Sequence, residues 1–413
     1  MPLRLIVHDY AGHPFQVQLS RELARRGHGV LHLHCPSYRS GKGAVERVPG
    51  DPRELRIDAV SLDATFEKYS PARRISQELV YARRLAAKVR AERPDVVVSS
   101  NTPLFAQSML LRECKRLGSS FVFWQQDVYS VAMKREAERR LPAVLGELVG
   151  RRFVELERLL LRRSDAVIPI SEDFRTTLLQ WGLPADKLHV IENWAPLDEF
   201  PQRPRNNAWS RRHGLVDKRV LLYSGTLGRK HDPSLLLRLA LDLRDLADVR
   251  VVVVSEGVGA DWLAREARAR QASNLLSFAF QDYQDLPDVL ATGDVLLVLL
   301  EREAGRFAVP SKVLSYLCAA RPLLASIPQE NLAAKVVVTS GGGAVVDPDD
   351  ARGFVEAARR LLDDPDARSR FGAAARDYAE ETFDIHAIGD RFEHVLESVV
   401  RAPRYAASRG MQG

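Results

Sequence analysis

The sequence predicts an α/β protein built from two doubly wound, Rossmann-like domains that face each other across a cleft. Three observations carry that expectation. Short β-rich runs alternate with helix-length amphipathic segments along the chain, as parallel strands with crossover helices require. The β-rich runs are apolar almost throughout, which marks strands covered on both faces. The alternation comes in two series, parted by a proline-rich stretch without periodicity.

The first series places strands at 3–8, 29–35, 95–101, 120–127, 165–171 and 188–193, with helices at 16–26 and 75–93 between them. Residues 195–207 then hold Pro196, Pro201 and Pro204 and read as a connection between domains. The second series places strands at 219–225, 249–255, 275–280, 294–300, 322–327 and 343–347. The expected organisation is a first domain at 1–196, a linker at 197–207, a second domain at 208–384 and a C-terminal helix at 385–413.

With 46% hydrophobic and 28% charged residues, the 413-residue chain reads as an ordinary globular protein, not a disordered or fibrous one. No apolar run approaches the roughly 18 residues of a membrane span, and the N-terminus reads as a first strand rather than a signal peptide. Cys35, Cys114 and Cys318 are odd in number and far apart, which fits neither a disulfide framework nor a metal cluster, so a cytoplasmic setting is expected. The net charge of +6 favours anionic partners such as a nucleotide or a membrane surface. Nucleic acid would satisfy the charge too, but the sequence holds no nucleic-acid-binding module.

Ligands of doubly wound sheets bind outside the carboxyl ends of the strands, which directs attention to particular loops. After the first strand of the second domain, Gly225 and Gly228 permit close backbone approach, and Arg229 and Lys230 supply adjacent cations suited to a departing phosphate. The alternative is a basic turn ahead of a capped helix. A later loop offers Ser311 as an N-cap with Lys312 in the first helical turn, where a cation opposes the helix dipole unless an anion is bound. The alternative there is an ordinary exposed lysine. In the first domain, Asp9 and His13 flank the turn after the first strand, and Asp127 ends the fourth; an aspartate so placed is a site residue or a cap.

His28, His32 and His34 lack accompanying carboxylate or thiolate ligands and read as structural. Asp347, Asp349 and Asp350 read as caps of the next helix. There is no G-x-S-x-G elbow or P-loop, and Gly257-Val258-Gly259 lacks the third glycine of a dinucleotide fingerprint. Residues 133–163 interleave nine cations and five acids with apolar positions, which suits either an anionic membrane surface or a solvated helix face.

Several of these segments together resemble the retaining GT-B glycosyltransferases of the family 4 type, especially bacterial colanic-acid and O-antigen enzymes. The most specific is Ser164-Asp165-Ala166-Val167-Ile168-Pro169-Ile170-Ser171-Glu172, continuing through Gly182-Leu183-Pro184 to Ile191-Glu192-Asn193-Trp194. Residues 225–230 are similar to the family's donor-phosphate loop, 309–322 to its PSK-containing helix, 286–295 to the approach to that helix, and 375–400 to helices that cross back to the first domain. Two features depart from the pattern. Thr226 stands where the family's arginine is usual, leaving Lys230 where its lysine is expected, and Phe307 and Ser315 occupy the places of a paired glutamate motif.

The resemblance implies transfer of a sugar from a nucleotide diphosphate sugar to an acceptor hydroxyl with retention, in cell-surface polysaccharide or glycolipid synthesis. The second domain would bind the donor and the first the acceptor. Catalytic roles would fall to Arg229, Lys230, His13 and Asp127, and donor contacts to Gly225, Thr226, Gly228, Gly257, Phe280, Ser311, Lys312 and Ser315. A UDP-sugar is favoured, with no metal or other cofactor required. A lipid-linked or small-molecule glycan would be the acceptor, with peripheral membrane contact through residues 133–163 at the cytoplasmic face. A GT-B sugar-nucleotide epimerase and a noncatalytic glycosyltransferase-like partner protein are the alternatives.

Overall fold

The computed structural model describes residues 1–37, 45–62, 71–228, 230–306 and 309–401. They form two compact units: one takes the described residues up to Glu192 and those from Ile385 onward, the other Asn193–Asp384.

The first unit runs β1 (Arg4–Asp9), α1 (Pro14–Arg25), β2 (Gly29–His34), β3 (Leu55–Ala59), α2 (Pro71–Glu92), β4 (Val96–Ser100), α3 (Leu104–Leu117), β5 (Ser120–Gln125), α4 (Tyr129–Arg140), α5 (Ala143–Arg163), β6 (Ala166–Pro169) and α6 (Glu172–Gln180). Its strands are parallel in the order β3-β2-β1-β4-β5-β6. Tyr81, Leu85 and Val89 of α2, Leu104 and Leu110 of α3, and Leu160 and Leu161 of α5 cover one face of the sheet together with Ile6, Val97, Phe121 and Phe123 from the strands.

The second unit runs α7 (Ala208–Arg212), β7 (Arg219–Ser224), α8 (Pro233–Asp242), β8 (Val249–Val254), α9 (Val258–Ala269), β9 (Leu275–Phe278), α10 (Leu286–Thr292), β10 (Val295–Leu299), α11 (Lys312–Cys318), β11 (Leu323–Ser326), α12 (Leu332–Thr339), β12 (Gly343–Val346), α13 (Ala351–Asp363) and α14 (Pro365–Thr382). Its parallel order β12-β11-β10-β7-β8-β9 repeats the topology of the first sheet. Residues of the proline-rich stretch pack with this unit: Arg205 pairs with Asp294 at 2.9 Å, and Asn207 caps α7. The last helix, α15 (Ile385–Arg401), packs in the first unit. Phe392 meets Trp124 at a centroid distance of 4.8 Å, and Glu393 takes Arg26 at 2.8 Å and His28 at 3.0 Å. The remainder of the expected 385–413 element lies outside the described residues.

Three sequence expectations change. Strand β3 escapes a search for apolar runs because it is an edge strand with only Leu55 buried. Residues 188–193 do not form a strand: His189 N and Ile191 N donate to Val167 O and Pro169 O, but only Val167 and Leu188 pair. The segment 133–163 is two helices, because Pro142 forces Leu141 into an extended conformation at φ −111°, ψ 157°.

In both sheets the chain leaves the centre in opposite directions from two adjacent strands, β1 and β4 in one and β7 and β10 in the other. Loops diverge at such a switch point and leave a crevice beyond the carboxyl ends of the strands.

Candidate active site

At the switch point of the second unit, β7 ends in Tyr223-Ser224 and turns at Gly225. This glycine has φ +134°, a conformation an L side chain rarely adopts, and a Cβ there would lie 2.9 Å from Lys312 Nζ. Tyr316 locks α11 to the same strand end: its hydroxyl accepts from Ser224 N and donates to Ser224 O, each at 2.8 Å. With α11 so fixed, Lys312 folds back over the strand. Its ammonium sits 3.6 Å from the centre of the Tyr223 ring, buried and without a hydrogen-bond partner among the described residues. Burial drives its pKa well below the ordinary lysine value.

The rest of the loop is held by backbone contacts. Leu227 N donates to Ser255 Oγ at 3.0 Å, Gly259 N donates to Leu227 O at 3.0 Å, and Gly257 opens α9 with φ +112°. Gly228 N donates to His231 Nδ1 at 3.2 Å. Burial, with the charges of Lys312 and Lys230 adding to it, pushes the His231 pKa down to about 3, so the ring is neutral and Nε2 carries its proton. The Lys230 carbonyl accepts from Glu301 N at 3.0 Å, tying the loop to the end of β10. Asp232 caps α8 through Ser234 N at 2.8 Å, so the structural reading holds for that residue. Phe280, just beyond β9, leaves 41% of its surface exposed.

Ser311 does not cap α11: it has helical φ and ψ and makes no side-chain cap bond. The helix has only seven residues, and the Lys312 ammonium lies against β7 beside Gly225 rather than beyond the helix end. The Ser315 hydroxyl donates to Lys312 O within the helix at 3.1 Å. Gly225 and Lys312 are brought together, with Thr226, Gly228 and Lys230 on the same loop. Arg229 and Phe307 lie outside the described residues.

At the switch point of the first unit, the buried carboxylate of Asp9 accepts from Ala11 N at 3.0 Å and from His13 N, and lies 3.3 Å from His13 Nδ1. Asp9 is thus both the organiser of the turn and part of the site. Burial alone would raise its pKa, but His13 beside it, through charge and hydrogen bonds, brings it below the ordinary value. Burial works against the charged form of His13, but the charge and hydrogen bond of Asp9 and the charge of Asp127 outweigh it, leaving the His13 pKa raised. Asn101, at the end of β4 with φ +52°, places Nδ2 3.2 Å from His13 Nδ1. Asp127 is exposed after β5, and its charge also acts on the buried Glu157, which caps α4 through Tyr129 N at 3.1 Å and Ser130 N at 2.9 Å. Sequence reasoning missed Asn101, Glu157, Tyr223 and Tyr316. A search confined to loops after β1 and β4, and after β7 and β10, would have found Asn101; Tyr223 lies inside β7.

The demoted histidines have structural partners: His28 accepts from Leu3 N at 3.1 Å, and His32 Nδ1 lies 2.8 Å from Ser20 Oγ. Asp350 caps α13 through Gly353 N at 2.8 Å, while Asp347 and Asp349 pair with Arg302.

Residues 13–194 match the glycosyl transferase 4-like domain and residues 206–378 match glycosyl transferases group 1. The chain is 28% identical over 243 residues, 58% of each chain, to the colanic acid biosynthesis glycosyl transferase WcaI of Escherichia coli (strain K12). For this and other curated relatives, the matched part spans little more than half of their length. Among solved structures, sucrose-phosphate synthase from Thermosynechococcus elongatus superposes with a TM-score of 0.72 at 15% identity, covering 96% of this chain and 99% of the other. HepE from Anabaena, in complex with UDP-glucose, superposes with a TM-score of 0.68 at 14% identity, covering 96% of this chain and all of the other. The fold of the chain is that of GT-B glycosyltransferases.

Proposed function

The chain belongs to the glycosyltransferases that join a 4-like domain to a group 1 domain, and from that premise we propose that it moves a sugar from a nucleotide diphosphate sugar to an acceptor hydroxyl with retention of configuration. The observation that carries this reading is the buried ammonium of Lys312 at the glycine turn of the second unit, which has no hydrogen-bond partner among the described residues. A desolvated cation needs a counter-charge. The diphosphate of a donor supplies one, and it supplies more as the glycosidic bond breaks.

In this mechanism Lys312 and Lys230, with Arg229 from the same loop, hold the diphosphate and stabilise the charge that develops on it. Gly225, Thr226, Gly228 and Ser311 give the phosphates close access to backbone, and Ser315 fixes the helix that carries Lys312. The His231 ring, neutral with a proton on Nε2, offers a donor without adding charge. Gly257 and Phe280 border the base and ribose. His13, held by Asp9 and Asn101 and biased towards its charged form, with Asp127 beyond it, orients the acceptor hydroxyl. No metal is needed for these steps, because fixed cations do the work a metal would do.

A UDP-sugar is the favoured donor, a choice supported by HepE's complex with UDP-glucose. Cell-surface polysaccharide or glycolipid synthesis is supported by the likeness to WcaI, a colanic acid biosynthesis glycosyl transferase by name. The acceptor in this reading is a lipid-linked or small-molecule glycan met at the cytoplasmic face of a membrane, with residues 133–163 making peripheral contact.

The test incubates the purified protein with UDP-, GDP- and dTDP-sugars, with and without a bacterial lipid extract, and follows nucleoside diphosphate release and product anomeric configuration by NMR. Acceptor-dependent release with an unchanged anomer supports the proposal. Conversion of the donor without acceptor points instead to an epimerase, and nucleotide binding without turnover to a noncatalytic partner.

A further inference from the structure

The loop that follows β9 is pinned from an element far earlier in the chain. Trp209, buried in α7, donates its indole N–H to Gln281 Oε1 at 3.0 Å. An indole nitrogen donates and does not accept, so the Gln281 amide must turn its oxygen to Trp209 and its nitrogen away. Gln281 Nε2 accordingly donates to Ala279 O at 2.9 Å, closing the loop on itself around Phe280. Phe280 stands exposed at the tip of that closed loop.

The indole is itself gripped. The centre of the His213 ring lies 4.4 Å from that of Trp209 and 4.5 Å from that of Phe278, and Trp209 meets Phe278 at 5.5 Å. His213 Nε2 is buried with no hydrogen-bond partner among the described residues. Burial, with the charge of Arg212 adding to it, lowers the His213 pKa, so the ring packs here as a neutral aromatic wedge. Helix α7 is fixed in turn: Asn207 and Ser210 cap it reciprocally, and Asn207 Nδ2 donates to Asp288 O of α10 at 2.9 Å. A five-residue helix needs such anchors, because it cannot hold a conformation by itself.

The loop lies on the ligand side of the sheet. Ser255 N donates to Phe278 O at 2.9 Å and Gly225 N to Val254 O at 3.0 Å, so the ladder runs unbroken from the end of β9 to the glycine turn beside Lys312. A parallel sheet gathers its ligand at these carboxyl ends. A flat aromatic ring at a fixed tip offers a face on which a planar base can stack, whereas a phosphate gains nothing from it.

We propose that Trp209 is a positioning residue for the nucleobase of the donor: through Gln281 it holds the 279–281 loop so that the Phe280 ring stacks on the base. Being buried, Trp209 acts through the loop and not on the ligand. A purely structural indole would need only its ring, packed on His213 and Phe278; the N–H is what serves the loop. This role rests on the donor reading of the second unit and sets its base end apart from its phosphate end.

The experiment measures by calorimetry the affinity of the whole protein for UDP, GDP, dTDP and inorganic pyrophosphate. It compares wild type with Phe280→Ala, Trp209→Phe, Gln281→Met and the double variant Trp209→Phe/Gln281→Met. Trp209→Phe keeps an aromatic ring and deletes the N–H, while Gln281→Met cuts the same bond from a half-buried loop position, so the test does not hang on one variant folding. For the nucleotide that the wild type binds best, Phe280→Ala should lose about tenfold or more, the order of one base stack. Trp209→Phe and Gln281→Met should each lose about three- to tenfold, and the double variant no more than either, because both remove one bond. Pyrophosphate affinity should stay within about twofold throughout, a split that general loosening of the unit would not give. Unaltered nucleotide affinity in Phe280→Ala or Gln281→Met, equal losses for nucleotide and pyrophosphate, or additive losses would each overturn the proposal. A wild type that binds pyrophosphate but no nucleotide would overturn it and leave the phosphate site standing; one that binds neither would remove the donor reading with it.

Discussion

Lys312 Nζ lies 3.6 Å from the centre of the Tyr223 ring, with no hydrogen-bond partner among the described residues. A cation–π contact contributes about 0.5–2 kcal/mol, whereas taking an ammonium out of water costs several kcal/mol. In the free protein the residue is therefore a net liability, whether it stays charged or sheds its proton. Lys312→Met, which keeps the stem and deletes the amine, should leave the unliganded protein as stable as the wild type or more stable, by up to about 2 kcal/mol. A urea titration checks this; a clear loss of stability would make Lys312 a structural residue.

The same burial makes anion binding depend on pH. The folded-state pKa of Lys312 is lowered, so above that value the free protein carries a neutral amine, and a bound diphosphate that favours the ammonium must draw a proton in with it. Affinity for UDP should therefore fall as pH rises from 7.5 to 9.5, where the diphosphate itself is fully ionised, by at most about tenfold per pH unit. Titration calorimetry in two buffers of different ionisation enthalpy should show net proton uptake. A flat profile without uptake would mean that Lys312 is already charged or does not meet the ligand.

The geometry around His13 separates transfer from donor binding. Asp9 and Asn101 hold the ring at the switch point of the first unit, whereas the residues assigned to the donor belong to the second. His13→Ala should lower acceptor-dependent transfer by about a hundredfold or more, within the usual range for a group acting on a proton in flight. UDP affinity should stay within about twofold. Equal losses in both would show that the substitution has disturbed more than the acceptor side.

Two buried histidines predict sensitivity to acid. His8, bonded to Ser99 and Tyr81, has its pKa lowered to about 3, and His32, beside Ser20, to about 4, in both cases chiefly by burial. Their unfolded value is about 6.5. Above pH 6.5 neither state binds the proton and stability is full. As pH falls below 6.5 the unfolded chain takes up protons that the folded one refuses, and stability is lost down to the folded values. The loss should reach on the order of 2–3 kcal/mol per histidine by pH 4.5. Denaturant titrations at pH 7.5 and 4.5 on wild type, His8→Gln and His32→Gln check it: each variant should lose less on acidification than the wild type, and an identical loss would assign the effect to other groups.

The second sheet was legible almost to the residue, because Val249–Val254, apolar but for Arg250, and Val295–Leu299 are short runs of Val and Leu buried on both faces. Leu55–Ala59 was not, since an edge strand needs only one apolar face and this one buries a single leucine. At the site, loop ends and cations announced themselves in sequence, but the ranking did not. Arg229 and Lys230 stand out as adjacent charges, whereas the distinctive feature of Lys312 is where its stem goes. That depends on Tyr316 bonding back to Ser224 across 92 residues and on Gly225 leaving room for the ammonium, and no local pattern encodes either contact.

The central claim is that Lys312 is the anchoring charge for a nucleotide diphosphate. Calorimetric titration of UDP and GDP into wild type, Lys312→Met and Lys230→Ala tests it most directly. The account predicts binding of one of the two nucleotides by the wild type, and for Lys312→Met, with its fold and stability intact, a loss of affinity of about tenfold or more, the equivalent of one charge-assisted contact. Wild-type affinity in Lys312→Met, whatever Lys230→Ala does, would contradict it.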